Sequence, residues 1–412
     1  MSETITSSQE AIFLEEKYGA HNYHPLPVVL TRGEGVFLWD IEGKRYYDFL
    51  SAYSAVNQGH CHPRIISALI EQAKELTLTS RAFYNDKLGL AEKFVCETFG
   101  YQKALFMNSG AEANETAIKL ARRWGYSRKN IPADKAVIVA VKNNFHGRTT
   151  TIISASTDED ARKGFGPFMP GFEVVEYDDI QALENVLSNR HVCGLWIEPI
   201  QGEAGVYVPK DGYLKAAETL CHKHNVLLML DEIQTGIART GKMLASDHED
   251  VRADLLILGK ALSGGVLPVS CVLADDVIML LLKPGEHGST FGGNPLSAAV
   301  CVEALQVVLD ERLSENAHRL GIIFRARMHA LIKKSRLIRL VRGKGLLNAI
   351  VINDTPQSKT AWNLCLEFAK LGLLAKPTHG NIIRLAPPLV ISEEQIHECC
   401  DIIERAVINY NN

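Results

Sequence analysis

The residue with the most chemical reach in this chain is Lys260. It stands one residue beyond Leu255-Leu256-Ile257-Leu258, a run of four apolar residues too short for a helix and closed by Gly259, which reads as a strand buried on both faces. An amine at the rim of a core loses its proton readily and condenses with carbonyls. Gly259 and the Gly264-Gly265 pair leave the backbone bare, as expected where another molecule must come close. That setting weighs against the ordinary reading of a lone lysine, a solvated charge on an apolar stem.

The preceding apolar run, Val226-Leu227-Leu228-Met229-Leu230, is followed at once by Asp231-Glu232-Ile233-Gln234. In doubly wound sheets ligands bind beyond the carboxyl ends of the strands, so Asp231 and Lys260 are expected at one rim. Pyridoxal phosphate requires such a pair. The lysine holds its aldehyde, and a carboxylate beside the pyridine nitrogen keeps that nitrogen protonated so the ring draws electrons from the substrate carbon. The competing reading of Asp231 is a helix N-cap.

The elements that must position these groups alternate along the middle of the chain. Ala104-Leu105-Phe106-Met107 is a short apolar run, Asn108-Ser109-Gly110 turns, and Ala113, Ala117, Leu120, Ala121 and Trp124 recur at helical spacing. Ser109 and Glu112 fit a capping box. A helix start after a strand and a small-residue turn can cradle a phosphate, because its first N–H groups lack partners. Further strands are expected at 136–141, 195–197, 226–230, 255–258 and 269–274. The first four are followed by Asn143 to Arg148, Glu198 to Glu203, Asp231 to Gln234, and Lys260. Strand ends that offer aromatic, Arg, Glu, Asp and Lys side chains along one edge describe a pocket.

Outside that region, residues 11–18 suit a short helix capped by Ser7 or Ser8 and stopped by Gly19. Val36 to Trp39 and Arg45 to Leu50 flank Asp40-Ile41-Glu42-Gly43-Lys44 as a hairpin. Asn294 and Pro295 have N-cap and N1 character for a long helix. Beyond about Val300, strands at 345–352 and 382–385 among helical runs such as 393–407 suit an α+β unit. The expected fold is α/β. It comprises an N-terminal helix and antiparallel segment (1–53), a large, mostly parallel-sheet cofactor domain (54–299) and a smaller α+β domain (300–412).

Composition narrows the function. With 412 residues, 46% hydrophobic and a net charge of -4, the chain can bury a large core and offers no basic surface for nucleic acid. Its nine cysteines include no C-x-x-C pair, no apolar run spans a bilayer, and Met1 to Thr4 open neither a signal nor a transit peptide, so a cytoplasmic protein is expected. Gly236 to Lys242 fits seven positions of a nucleotide-binding P-loop, and Met243 replaces the hydroxyl required at the eighth. His60-Cys61-His62 and Cys221-His222-Lys223-His224 lack a second ligand pair, so no metal is expected.

In order and spacing, His21 to Pro27, Tyr53 to Pro63, Asn108 to Glu112, Phe145 to Arg148, Glu198 to Gly205, Asp231 to Gly236, Gly259 to Gly265, Ser289 to Pro295 and Ile383 to Pro387 resemble the fold type I, class III aminotransferases, specifically those acting on ornithine. The resemblance covers nearly the whole chain. It implies that Lys260 and Asp231 are catalytic, that Phe145 stacks on the cofactor ring, and that Gln234 bonds its hydroxyl. Ser109, Gly110 and Ala111 would hold the phosphate, with Ser289 and Thr290 supplied by the neighbouring subunit of a homodimer. For substrates it implies L-ornithine, 2-oxoglutarate and L-glutamate, bound through Tyr23, Tyr53, Arg148, Glu203 and Arg384. Acetylornithine or 4-aminobutyrate would be the alternative amino donor, and Tyr23 and Tyr53 favour ornithine. Where the resemblance predicts a small residue the chain has Asn114, which is expected to alter packing and leave the chemistry untouched.

Overall fold

The computed structural model describes residues 5–410, so the expectation for Met1 to Thr4 lies outside the described residues. Its centre is a seven-stranded sheet in the order Lys103–Met107, Ser270–Ala274, Leu255–Leu258, Leu227–Asp231, Val192–Ile197, Val137–Val141, Phe172–Val175. Ser270–Ala274 runs antiparallel to both neighbours, and the remaining pairings are parallel. Alternate residues of these strands enter different cores, which is why they read as unbroken apolar runs. Ile138, Ala140, Trp196, Leu227 and Met229 pack with Ala113, Ala117 and Ala121 of the helix Gly110–Ser127. Val139, Val141, Leu195, Ile197, Leu228 and Leu230 pack with helices Ile180–Leu187 and Tyr213–His224. Each such fully buried aliphatic side chain contributes about 1.5–3 kcal/mol.

A second sheet joins Leu30–Glu34, Phe37–Asp40 and Arg45–Asp48 to Leu373–Leu374, which pairs in parallel with Arg45–Asp48. A third, wholly antiparallel sheet has the order Ile338–Lys344, Leu347–Ile352, Ile382–Leu385, Lys376–Thr378. The strand expected from residue 345 begins two residues later, because Gly345 is in the turn with φ 55 and a Cβ there would sit 2.3 Å from the Thr240 carbonyl carbon. Phe172–Val175 gave no periodic signal, since it is an edge strand with two exposed residues. Among the described residues no helix is long and apolar enough to cross a membrane.

Between the second sheet and the site the backbone makes an uncommon turn. Ser51, Ala52, Tyr53 and Ser54 all have left-handed φ, from 45 to 71. The turn is pinned by Asp48, whose Oδ1 accepts from the Leu50 and Ser51 N–H groups, and by Ser51 Oγ, which donates to the Ala386 carbonyl. Left-handed backbone costs an L-residue about 1–2 kcal/mol. Ala52, with its side chain exposed, is the place to measure that strain. Ala52→Val is expected to lower stability by about 1–2 kcal/mol, because a β-branched residue tolerates this region least. Ala52→Gly should cost nothing, and equal denaturation midpoints for the two variants would rule the strain out.

Candidate active site

The carboxyl ends of the parallel strands open onto a cavity of about 530 Å³. Its wall includes Ser109, Gly110, Ala111, Phe145, Glu198, Glu203, Asp231, Gln234 and Lys260. Each arrives from a strand end or the turn beyond it, so the edge read from sequence is a single site. The antiparallel strand contributes as well: Ser270 Oγ donates to the Ser109 carbonyl and holds the first loop in place.

Lys260 opens a single 3-10 turn with φ 45, a strained conformation for a side-chain-bearing residue and a frequent mark of functional sites. Burial, reinforced by Arg384, pushes its amine down from the ordinary lysine range to about 8. In the cofactor-free protein, the rate at which a small acylating reagent modifies Lys260 should therefore rise with pH and level off above about 8. The unprotonated amine is the nucleophile, so the sign is upward. A midpoint near that of surface lysines would contradict the assigned environment.

Asp231 is buried at the end of its strand, and no helix follows it, so the N-cap reading is set aside. Its Oδ1 accepts from the Ile233 N–H at 3.1 Å, and its Oδ2 accepts from His146 Nδ1 at 2.7 Å and Asn114 Nδ2 at 2.9 Å. Asn114 is thus more than a packing residue, contrary to the expectation from sequence. The signal was available, since Asn114 lies on the buried stripe of its helix with Ala117 and Ala121. Glu198 accepts from the Phe145 N–H at 2.9 Å. Burial and the nearby Asp231 charge push its carboxyl well up.

The helix start behind Ser109 forms both halves of the capping box, with Glu112 accepting from the Ser109 N–H and Ser109 Oγ accepting from the Glu112 N–H. Among the described residues the Gly110 and Ala111 N–H groups have no partner, as an anion-binding helix end requires. A Cβ on Gly110 would meet Ile233 Cδ1 at 2.8 Å, so a larger residue there would displace the Ile233 side chain. Gly202 makes room for Gln234 in the same way, since a Cβ there would sit 1.7 Å from Gln234 Oε1. Gln234 Nε2 donates to the Tyr53 carbonyl at 3.1 Å.

Arg384, on the strand Ile382–Leu385, is 2% exposed and donates to Glu203 Oε2 at 2.9 Å. The Tyr53 ring lies 5.0 Å from the Arg384 guanidinium. Burial raises the Glu203 carboxyl, but the Arg384 guanidinium, together with Lys260 and His379, outweighs burial and brings it below its ordinary value. The pair is therefore intact at neutral pH and is lost only as pH falls through that lowered value. Arg148 lies with its guanidinium 5.8 Å from the Phe145 ring. Tyr23 is not in the cavity wall; it is 63% exposed beside the N-terminal segment. Tyr53, Arg148, Arg384, Ser289 and Thr290 are also absent from the wall, and Ser289 Oγ accepts from Asn108 Nδ2 at 2.8 Å.

The P-loop-like stretch forms no phosphate loop. Residues 236–243 are turns and bends followed only by the three-residue 3-10 turn Ser246–His248, and Arg239 is buried, donating to Asn57 Oδ1 and to the Leu346 and Pro387 carbonyls. The motif ties three distant segments together.

An amine, a carboxylate and an aromatic ring on the wall of one cavity, with a helix-end anion cradle, fit pyridoxal phosphate. The chain belongs to the class-III aminotransferases, whose family model matches residues 18–407. It is a pyridoxal-phosphate-dependent aminotransferase. It is 59% identical over 404 residues to the mitochondrial ornithine aminotransferase of Drosophila melanogaster, covering 98% of this chain and 93% of that protein. Among solved structures it is similar to the ornithine aminotransferase of Toxoplasma gondii, with a TM-score of 0.97 and 48% identity across 99% of this chain and 96% of that one. It is also similar to an acetylornithine aminotransferase from Elizabethkingia anophelis, with a TM-score of 0.91 and 60% identity over 98% and 100% of the two chains.

Proposed function

We propose that this enzyme transfers the δ-amino group of L-ornithine to 2-oxoglutarate in ping-pong order. The products are L-glutamate and glutamate 5-semialdehyde, which cyclises to pyrroline-5-carboxylate. The observation that carries the reading is the Glu203–Arg384 pair in the neighbourhood of Lys260. Ornithine must present its distal amine and glutamate its α-amine to the same point. A free guanidinium near that point would draw in the α-carboxylate of ornithine and deliver the wrong amine. Glu203 cancels the attraction, leaving Arg148 and Tyr23 to hold the amino-acid head far from the reacting carbon. For glutamate or 2-oxoglutarate the pair opens, and two guanidinium forks hold the two carboxylates. A charge-assisted bond at a cavity wall is worth about 1.5–3 kcal/mol, within reach of an incoming carboxylate.

Pyridoxal phosphate, when bound, supplies an aldehyde that exchanges amino groups and a ring that accepts electrons. Lys260 would hold it and carry the proton at Nζ. Asp231 would face the ring nitrogen, Phe145 the ring, Gln234 the hydroxyl, and Ser109 to Ala111 the phosphate. Ser289 and Thr290 would complete the phosphate cup across a homodimer. The division into 1–53, 54–299 and 300–412 is supported by the seven-stranded sheet, which lies within 54–299, and by the third sheet, which lies within 300–412 and supplies Arg384; the second sheet joins residues 30–48 to Leu373–Leu374 of the last unit. A cytoplasmic location is supported by nine unpaired cysteines.

Purified protein supplied with pyridoxal phosphate, ornithine and 2-oxoglutarate should form glutamate and pyrroline-5-carboxylate. Faster turnover of acetylornithine or 4-aminobutyrate under the same conditions would transfer the assignment to that substrate.

A further inference from the structure

Asp231 sits in a closed network whose proton positions are dictated by the groups themselves. Trp196 Nε1, which can only donate, lies 2.9 Å from Asn114 Oδ1. The Asn114 amide is therefore oriented without ambiguity, and its nitrogen donates both to Asp231 Oδ2 and to the His146 carbonyl, each at 2.9 Å. The His146 imidazole is fixed just as firmly. An ionised carboxylate only accepts, so Nδ1 carries the hydrogen shared with Asp231 Oδ2 at 2.7 Å. The ring is stacked on Trp196, with centroids 3.8 Å apart and planes 19° from parallel.

His146 Nε2 is buried and has no partner among the described residues. His146 thus holds the carboxylate through Nδ1 alone. Two donors converge on Oδ2, while Oδ1 has one donor, the Ile233 N–H. The carboxylate is locked in rotation and keeps acceptor capacity on Oδ1.

We propose that Asn114 and His146 are positioning residues for transamination, holding Asp231 as an oriented anion opposite the cofactor's ring nitrogen. This rests on the assignment of Asp231 under the proposed function. Neither residue needs to touch a reacting atom, because both act through one oxygen of Asp231. Trp196 supports both, as hydrogen-bond donor to one and stacking surface for the other.

The test compares Asn114→Ala, His146→Phe and His146→Gln with Asp231→Asn as reference. The cofactor dissociation constant is read by fluorescence quenching of the cofactor-free protein, and kcat and KM for ornithine are read separately. Losing an outer hydrogen bond to a working group typically costs about 10- to 100-fold. Asn114→Ala and His146→Phe should each weaken cofactor binding and lower kcat by about that factor, with KM for ornithine within about twofold of the parent. His146→Gln, which retains a donor, should recover most of the loss. The Asn114→Ala/His146→Phe double variant should lose less than the product of the single losses, since both act on one oxygen.

If Asp231→Asn loses affinity and turnover while the Asn114 and His146 variants keep both within about twofold, the positioning role is overturned and the reading of Asp231 survives. If Asp231→Asn itself keeps both, that reading fails first. His146→Gln as impaired as His146→Phe would show that ring packing matters and the hydrogen bond does not. Should His146→Phe fail to fold, as judged by its thermal transition, Asn114→Ala and His146→Gln carry the test alone.

Discussion

Lys260→Ala is expected to yield a folded protein whose conversion of ornithine falls by about 10³-fold or more, since under the proposed function it would lose both the covalent anchor and the proton carrier. The fold should survive because, among the described residues, the Lys260 amine has no hydrogen-bond partner to be orphaned. Burial already holds that amine down to about 8, so its charge is a burden on the folded state. In the cofactor-free protein the thermal midpoint should accordingly stay level or rise. Small amines added to the medium should restore part of the lost turnover by taking over the proton transfer. Glutamate formation within tenfold of the parent enzyme, without added amine, would remove Lys260 from the mechanism.

The second large effect falls on selectivity. Glu203→Ala leaves Arg384 with the Gly202 carbonyl at 3.3 Å and the face of Tyr53 as its remaining neighbours. An uncancelled guanidinium then attracts whichever carboxylate arrives. For glutamate that attraction is productive, and for ornithine it delivers the α-amine. The ratio of kcat/KM for ornithine to that for glutamate should fall by about 10- to 100-fold, matching the roughly 1.5–3 kcal/mol of a charge-assisted bond. Ornithine should also begin to yield the product of α-amine transfer, separable from pyrroline-5-carboxylate by chromatography. Equal losses on both substrates, with no new product, would mean that Glu203 does not discriminate between the two ends.

The strand ends and the helix cap were legible in the chain because their determinants are local. Leu255 to Leu258 is apolar throughout because both faces are buried, and that pattern survives without knowing what covers it. Ser109 and Glu112 announce the helix end because a capping box is completed within four residues. The edge strand Phe172–Val175 escaped notice because its residues are half exposed and carry no period. The hydrogen bonds of Asn114 leave no local signal for a different reason: its partners, Trp196, His146 and Asp231, are as much as 117 positions away.

From the amino-acid order alone came the amine and carboxylate at neighbouring strand ends, the anion cradle and the family likeness, all set by short-range patterns of polarity and spacing. Tertiary structure alone decided that Arg384 meets Glu203, across 181 residues, and that Tyr53 reaches the site from a left-handed turn anchored by Asp48 and Ala386. It likewise decided that one oxygen of Asp231 is held by two side chains. Such contacts depend on how distant segments pack, and hydrogen-bond geometry over a few ångströms leaves no periodic trace along the chain.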